Sequence, residues 1–354
     1  MLHTAHVLEL DDDFPLVEGG RLPAVRLAYE TFGRPGSPCV VVLGGLSANA
    51  HVTSTGEDPT RGWWETVVGN GLAVDTQERF VVCMDYLGGC AGSTGPASLD
   101  PASGAPYSLA FPTLTLEDLA RAAMRVLDTL DITDVELLIG TSMGAMVAIP
   151  FMSGFPGTVR HHVSVSGCLR SSSAALALRG VQRDMIRRAF EGSDGATYDD
   201  ELVKLARKIS LLSYRPSTAW DARFGRRPSK APEEWEHFED SFEIQSYLEG
   251  HASKYVENFD PRSFVVLSEA LDRFDALERP VHMPRAAPRH VLVLGADSDA
   301  LYPPRQQVEL ADFFESQGAS VDLQIIDSPH GHDSFLIDAE LFGRQVRASA
   351  PEAV

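Results

Sequence analysis

Gly140-Thr141-Ser142-Met143-Gly144 sits between two apolar runs, Val135-Glu136-Leu137-Leu138-Ile139 ahead of it and Ala145-Met146-Val147-Ala148-Ile149 behind it. The first run has the length and composition of a buried strand, and the second opens a helix in small residues. In such a strand–turn–helix frame a Gly-x-Ser-x-Gly turn holds its serine strained at the apex, and the small neighbours let strand and helix close up. The serine is then presented as a nucleophile, and the N–H of the next residue faces an oxyanion as it develops. An ordinary glycine-rich turn has the same five residues, so the reading depends on finding partners for the serine.

Outward from this turn, apolar strand-like runs recur at Cys39-Val40-Val41-Val42-Leu43, Arg79-Phe80-Val81-Val82-Cys83-Met84, His162-Val163-Ser164-Val165-Ser166, His290-Val291-Leu292-Val293-Leu294 and Val321-Asp322-Leu323-Gln324-Ile325-Ile326. They alternate with helical stretches, one capped by Thr115 ahead of Glu117 and Asp118, and one opening near Glu340. That alternation predicts a mostly parallel sheet covered by helices on both faces. Near the N-terminus Val25, Leu27 and Tyr29 alternate with polar residues, the pattern of an antiparallel edge hairpin. Between about 170 and 280 strand-like runs nearly vanish. Spacings such as Leu176, Arg179, Gly180, Arg183 and Leu202, Leu205, Ile209, Leu212 are helical. The expected organisation is a core of residues 1–170 and 285–354, interrupted by a helical lid of residues 171–284.

Composition narrows the function. With 44% hydrophobic residues in 354, the chain can bury a sizeable core. A formal charge of −20 disfavours nucleic acid or an anionic membrane as a partner, and an anionic substrate needs a locally positive site. Cys39, Cys83, Cys90 and Cys168 form no Cys-x-x-Cys pair, so neither a zinc knuckle nor a disulfide framework is expected, and the sparse usage fits a reducing cytoplasm. The N-terminus lacks the basic and apolar regions of a signal peptide. No apolar run reaches the length of a membrane span.

A serine hydroxyl becomes nucleophilic when a histidine takes its proton and a carboxylate orients that histidine. In this setting the order along the chain is Ser, then Asp or Glu, then His, on loops at the C-terminal ends of strands. Gly295-Ala296-Asp297-Ser298-Asp299 follows one late strand, and Asp327-Ser328-Pro329-His330-Gly331-His332-Asp333 follows the next. Spacing does not choose between Asp297 and Asp299, or between His330 and His332. A metal pair at His330 and His332 lacks a second ligand cluster, and no metal is expected. A second oxyanion donor belongs on the loop after the early strand, Gly44-Gly45-Leu46-Ser47, where the N–H of Leu46 is the natural choice.

The run Gly88-Gly89-Cys90-Ala91-Gly92-Ser93-Thr94-Gly95-Pro96, followed by Pro101-Ala102-Ser103-Gly104 and Pro106-Tyr107, resembles the homoserine O-acetyltransferase family. So do residues 46–51, Ser142-Met143-Gly144, Ser246-Tyr247-Leu248, Phe259-Asp260 and Gly331-His332-Asp333-Ser334-Phe335-Leu336. The resemblance spans about residues 15 to 340 and implies an α/β-hydrolase fold with an inserted helical lid whose helices make a homodimer. It also implies roles: Ser142 as nucleophile, Asp299 as orienter and His332 as base, with Leu46 and Met143 as backbone oxyanion donors. Arg207, in Ala206-Arg207-Lys208, and Tyr214, in Tyr214-Arg215, match residues that hold the amino acid substrate, and Asp333 matches the acid that meets its amine. The elbow here has Thr141 and Ala145 where the family usually has glycines, and Asp85-Tyr86 stands where many members have an asparagine-containing segment. The stretches 177–183 and 220–226 look closest to a subgroup that acylates L-serine, including users of succinyl-CoA.

The resulting expectation is a cytoplasmic acyl-CoA-dependent O-acyltransferase for L-homoserine or L-serine, in methionine- or cysteine-type biosynthesis. CoA is a substrate, and no cofactor is bound. Acetyl-CoA is marginally favoured as donor, because Leu301 beside Asp299 offers no charge to a longer acid. Succinyl-CoA is the alternative, because Arg179 on the first lid helix is placed to pair with a free carboxylate. Two other classes compete: an esterase or thioesterase on the same triad, and a non-catalytic binding module.

Overall fold

The computed structural model describes residues 1–155, 157–192, 197–234, 242–278 and 288–349. Its main sheet has eight strands: β1 (His3–Glu9), β2 (Arg26–Phe32), β3 (Cys39–Leu43), β4 (Phe80–Met84), β5 (Asp134–Thr141), β6 (Thr158–Val165), β7 (His290–Ala296) and β8 (Ser320–Ile326). In space they run β1-β2-β4-β3-β5-β6-β7-β8. Strand β2 is antiparallel to both its neighbours, and the pairs from β4 to β8 are parallel. The anticipated N-terminal hairpin is β1 with β2; β1 forms one edge of the sheet and β8 the other.

Alternation along the central strands supplies two cores. Val41, Leu43, Val82, Met84 and Leu138 point to one face. There they meet α1 (Leu116–Thr129), α2 (Met143–Gly154) and, further along, α8 (Pro304–Ser316). Val40, Val42, Val81, Cys83, Leu137 and Ile139 point to the other, against Trp64 and the C-terminal helix α9 (Ala339–Ser349) with its Phe342 and Val346. A capping box starts α1: Thr115 accepts from the Asp118 N–H, and the Asp118 carboxylate accepts from the Thr115 N–H.

Between β6 and β7 the described residues are mostly helical. They form α3 (Ser173–Ala189), α4 (Asp200–Tyr214), α5 (Ser217–Phe224), α6 (Glu243–Asn258) and α7 (Pro261–Arg273). These helices have a small core of their own, in which Ile186, Phe190, Val203, Ala206, Phe264 and Val265 are buried. Leu46, on the loop leaving β3, packs against both this cluster and the larger core of the sheet. The expected boundary near residue 284 lies outside the described residues.

Candidate active site

The C-terminal ends of β3 and β5 are neighbours where the strand order changes direction, the place where open sheets gather function. Ser142 lies at the end of β5 with φ 53° and ψ −119°, a conformation a non-glycine residue adopts at a cost of roughly 1–3 kcal/mol. Its neighbours hold it there. The Ser142 N–H donates to the Val165 carbonyl at 2.8 Å, and α2 starts at the next residue. Gly144 packs so tightly that a Cβ in its place would lie 2.0 Å from the Leu43 carbonyl oxygen. Ser142 therefore stands with its hydroxyl free of its own strand.

The structure brings Ser142, His332 and Asp299 into one chain of hydrogen bonds. Ser142 Oγ is 2.9 Å from His332 Nε2, and His332 Nδ1 is 2.8 Å from Asp299 Oδ2. A carboxylate only accepts, so Nδ1 carries the proton and Nε2 is left to take the serine's. The other oxygen, Asp299 Oδ1, accepts from the N–H groups of Leu301 and Tyr302, both at 2.9 Å. Asp299 is 2% exposed and His332 6%, and the Tyr302 and Phe335 rings meet the imidazole edge-on. Asp297 instead accepts from the Ser328 N–H, and half-buried His330 faces Asp338 at 3.9 Å. Gly331 has φ 61°, and a Cβ there would lie 2.3 Å from the Tyr214 carbonyl oxygen. The loop bearing His332 is thereby pressed against the end of α4.

Across from Ser142, the 44–47 loop passes at van der Waals distance: a Cβ on Gly45 would be 3.6 Å from the Ser142 Cβ. Met143 opens α2, so its N–H has no intrahelical acceptor. Leu46 and Met143 both line the cavity above Ser142, which measures about 210 Å³. The Tyr86 hydroxyl braces this loop by donating to the Gly44 carbonyl at 2.8 Å.

Helices α3, α4 and α7 supply the opposite wall. Arg179, Gln182, Arg207, Tyr214, Phe264 and Leu271 all reach the cavity, as do Leu301 and Asp333 from the sheet side. Arg179 is 5% exposed, and its charge is matched: Nε and Nη2 lie 2.8 and 2.5 Å from Asp272 Oδ1, and Nη2 donates to Ser171 Oγ at 2.6 Å. Arg183 shares the same Asp272 at 2.7 Å. Arg207 is different. Among the described residues it has no carboxylate partner, and its buried Nε has no hydrogen-bond acceptor. Its guanidinium lies over the Tyr255 ring at 4.6 Å and the Tyr214 ring at 5.9 Å. Asp333, expected to face a substrate amine, is held by Arg215 at 2.9 Å.

Three contributors escape a reading of the sequence. Asp272 neutralises Arg179 from 93 residues away, and no local pattern marks it. Gln182 is buried, fixed by Ser210 Oγ at 2.6 Å, and lines the cavity. Asp85 is the post around which the 88–96 loop is wound: its Oδ2 accepts from the N–H groups of Ala91 and Ser93, both at 3.0 Å. Burial pushes its pKa up to about 6 against the pull of those bonds. The signal for Asp85 was its departure from the family pattern.

The match to an alpha/beta hydrolase fold family covers residues 38–339. A serine O-succinyltransferase of Stenotrophomonas maltophilia is 40% identical over 352 residues, covering 96% of this chain and 95% of that protein. An L-serine/homoserine O-acetyltransferase of Streptomyces lavendulae is likewise 40% identical, over 356 residues and the same shares of both chains. The chain belongs to the serine/homoserine O-acyltransferase family of the α/β-hydrolase fold. It is an acyltransferase. In fold it superposes on a homoserine O-acetyltransferase of Bacillus anthracis with a TM-score of 0.89 at 22% identity, covering 99% of this chain and 98% of that one. Among the described residues no helix is long and apolar enough to cross a membrane.

Proposed function

We propose that the chain transfers an acyl group from acyl-CoA to the hydroxyl of L-serine or L-homoserine through an acyl-enzyme on Ser142. The hydrogen-bonded chain Ser142–His332–Asp299 at the floor of a cavity, with Arg207 in its wall lacking a carboxylate partner among the described residues, carries this reading. In the first half, Ser142 Oγ attacks the thioester carbon and its proton passes to His332 Nε2. Asp299 steadies the imidazolium that forms. The oxyanion accepts from the N–H groups of Leu46 and Met143, each such donor being worth about 3–4 kcal/mol in related chemistry. The C–S bond breaks, and the thiolate of CoA leaves with the proton from His332.

In the second half the amino acid hydroxyl gives its proton to His332 and attacks the ester, and Ser142 departs with that proton. Arg207 pairs with the amino acid carboxylate, its guanidinium already oriented by the two tyrosine rings. Tyr214 lines the same place. Asp333, with Arg215 beside it, meets the amine. CoA serves as substrate, with no resident cofactor. The helical region acts as a lid that keeps water from the ester. Its exposed Leu176, Val181, Leu205 and Leu212 suit a homodimer interface.

For the donor we favour acetyl-CoA, because Arg179 already spends its charge on Asp272 and Leu301 is neutral. The succinyl reading has one observation of its own, that Arg179 does line the cavity. CoA release from each donor, with and without serine or homoserine, tests the proposal. Acyl transfer requires release to depend on the amino acid in steady state, and the donor preference requires a higher kcat/KM for acetyl-CoA. Steady release of free acid without an amino acid would make the protein a thioesterase.

A further inference from the structure

Away from the cavity, three side chains converge on one point. His3 on β1 and His51 at the end of the loop leaving β3 both reach one oxygen of Glu30 on β2. His3 Nε2 lies 2.8 Å and His51 Nδ1 2.9 Å from Glu30 Oε2, and the three donor atoms lie within 4.8 Å of one another. All three are largely buried, with side-chain exposures of 7%, 9% and 15% for His3, His51 and Glu30. None lines the catalytic cavity.

The protons on His51 decide what this cluster is. Its Nε2 is 2.9 Å from the Thr60 carbonyl oxygen, which only accepts, so Nε2 carries a proton. A neutral His51 then turns the lone pair of Nδ1 toward a carboxylate oxygen, an opposition of two acceptors at 2.9 Å. Either His51 holds a second proton, or a cation lies between the groups. The donor types are ones a cation accepts. Two imidazole nitrogens and a carboxylate oxygen are ligands of Zn²⁺, bound at about 2.0–2.2 Å, and a tetrahedron of that size has edges of about 3.3 Å. The observed separations from Glu30, 2.8 and 2.9 Å, are about half an ångström short of that edge, and His3 Nε2 and His51 Nδ1 lie within 4.8 Å of each other. The Nε2–H bond to a backbone carbonyl is the outer support that metal-bound histidines use to fix their tautomer. Asp58 Oδ2 lies 3.9 Å from His51 Nδ1, outside the cluster of three.

We propose that His3, Glu30 and His51 bind a divalent transition metal, Zn²⁺ by the character of the donors, as a structural clip. It ties β1 and β2 to the far end of the loop that begins with Gly44-Gly45-Leu46. The sequence expectation of no metal came from spacing along the chain, and these ligands lie 27 and 21 residues apart with no motif to join them. The site does not depend on the acyl-transfer reading.

The test uses the untagged full chain, stripped with EDTA and dialysed, then titrated with ZnCl₂ and separately with CoCl₂. The wild type should take up one equivalent of Zn²⁺, gain several degrees in Tm at about a hundred-fold Zn²⁺ over Kd, and show the visible bands of tetrahedral Co²⁺. His3→Ala removes a ligand from the edge strand without stranding a charge. It should weaken binding roughly ten-fold or more and abolish both the Tm gain and the Co²⁺ bands while circular dichroism stays unchanged. Glu30→Gln should do the same. A stripped wild type that binds less than one equivalent and shows no Tm gain would overturn the site, leaving a protonated His51 on Glu30. Uptake undiminished in His3→Ala and His51→Gln would also overturn it, by placing the metal elsewhere.

Discussion

The cavity has one wall made of strand ends and one made of helices, and the two treat charge differently. On the strand side the Asp299 carboxylate is fully engaged, by His332 on one oxygen and by two backbone N–H groups on the other. On the helix side Arg179 is matched by Asp272, while Arg207 rests on two aromatic faces with no carboxylate among the described residues. A charge matched inside the protein positions another group. A charge with no counterion among the described residues fits, on the proposed function, a group that arrives with the substrate. On the proposed function, the strand wall serves the chemistry and the helix wall the selection of substrate.

The contrast breaks first, if it breaks, at Asp299. Asp299→Asn presents an amide to His332 Nδ1 and favours the wrong tautomer, so kcat should fall by roughly 10³–10⁴ with the fold intact. Asp297→Asn, on the same loop, should cost little. A loss under ten-fold in Asp299→Asn would show that the strand wall does not prepare the base.

Arg207→Ala probes the other wall. Losing a charge-assisted partner worth about 1.5–3 kcal/mol should raise the KM for the amino acid about ten- to a hundred-fold. The burst of CoA release before any amino acid is added should change little. Equal loss in both half-reactions would mean that Arg207 serves the structure instead of the substrate.

A smaller effect sharpens the difference between the two arginines. Asp272→Asn frees the charge on Arg179 beside the cavity, so the ratio of kcat/KM for succinyl-CoA over acetyl-CoA should rise about ten-fold. In the double variant with Arg179→Gln that rise should vanish. An unchanged ratio in Asp272→Asn would remove Arg179 from donor choice altogether.

The smallest effect concerns stability alone. Burial raises Asp85 to about 6, so the folded state holds that proton more tightly than the unfolded chain, and the stability it contributes is lost as pH rises from about 4 through 6. Burial lowers His162 to about 4, so its contribution is present above about 6.5 and lost as pH falls toward 4. The two oppose each other, and the wild type should be nearly flat in Tm across that interval as far as they govern it. Asp85→Asn keeps an oxygen for the Ala91 and Ser93 N–H groups and removes one slope. It should raise Tm by a few degrees above pH 7 and leave a steady fall on acidification, with acyl transfer unchanged. A pH profile of Tm identical to the wild type would refute the buried-charge account of Asp85.

The strand wall was the legible one. Val40, Val41, Val42 and Leu137, Leu138, Ile139 are apolar on both faces because both faces are covered, and such runs announce central strands without help from tertiary context. The serine turn and the two late loops follow from chain order. Spacing did not separate Asp297 from Asp299, because the difference lies in backbone geometry: the N–H groups of Leu301 and Tyr302 turn Asp299 inward, and that of Ser328 takes Asp297. The helix wall was less legible. Its periodicity marks helices but not which residues of different helices meet, so Asp272 beneath Arg179 and Gln182 against Ser210 appear only in three dimensions. The His3, Glu30 and His51 cluster is hidden for the same reason, being assembled by strand pairing.

The most direct test of the account is the first half-reaction alone. Wild-type protein mixed with acetyl-CoA and no amino acid, then followed by intact-mass spectrometry and peptide mapping, should gain one acetyl group on Ser142 as CoA appears. Added serine or homoserine should discharge it as the O-acetyl amino acid, and Ser142→Ala should gain nothing. The same adduct on Ser142→Ala, or CoA released only when both substrates are present, would contradict an acyl-enzyme on Ser142.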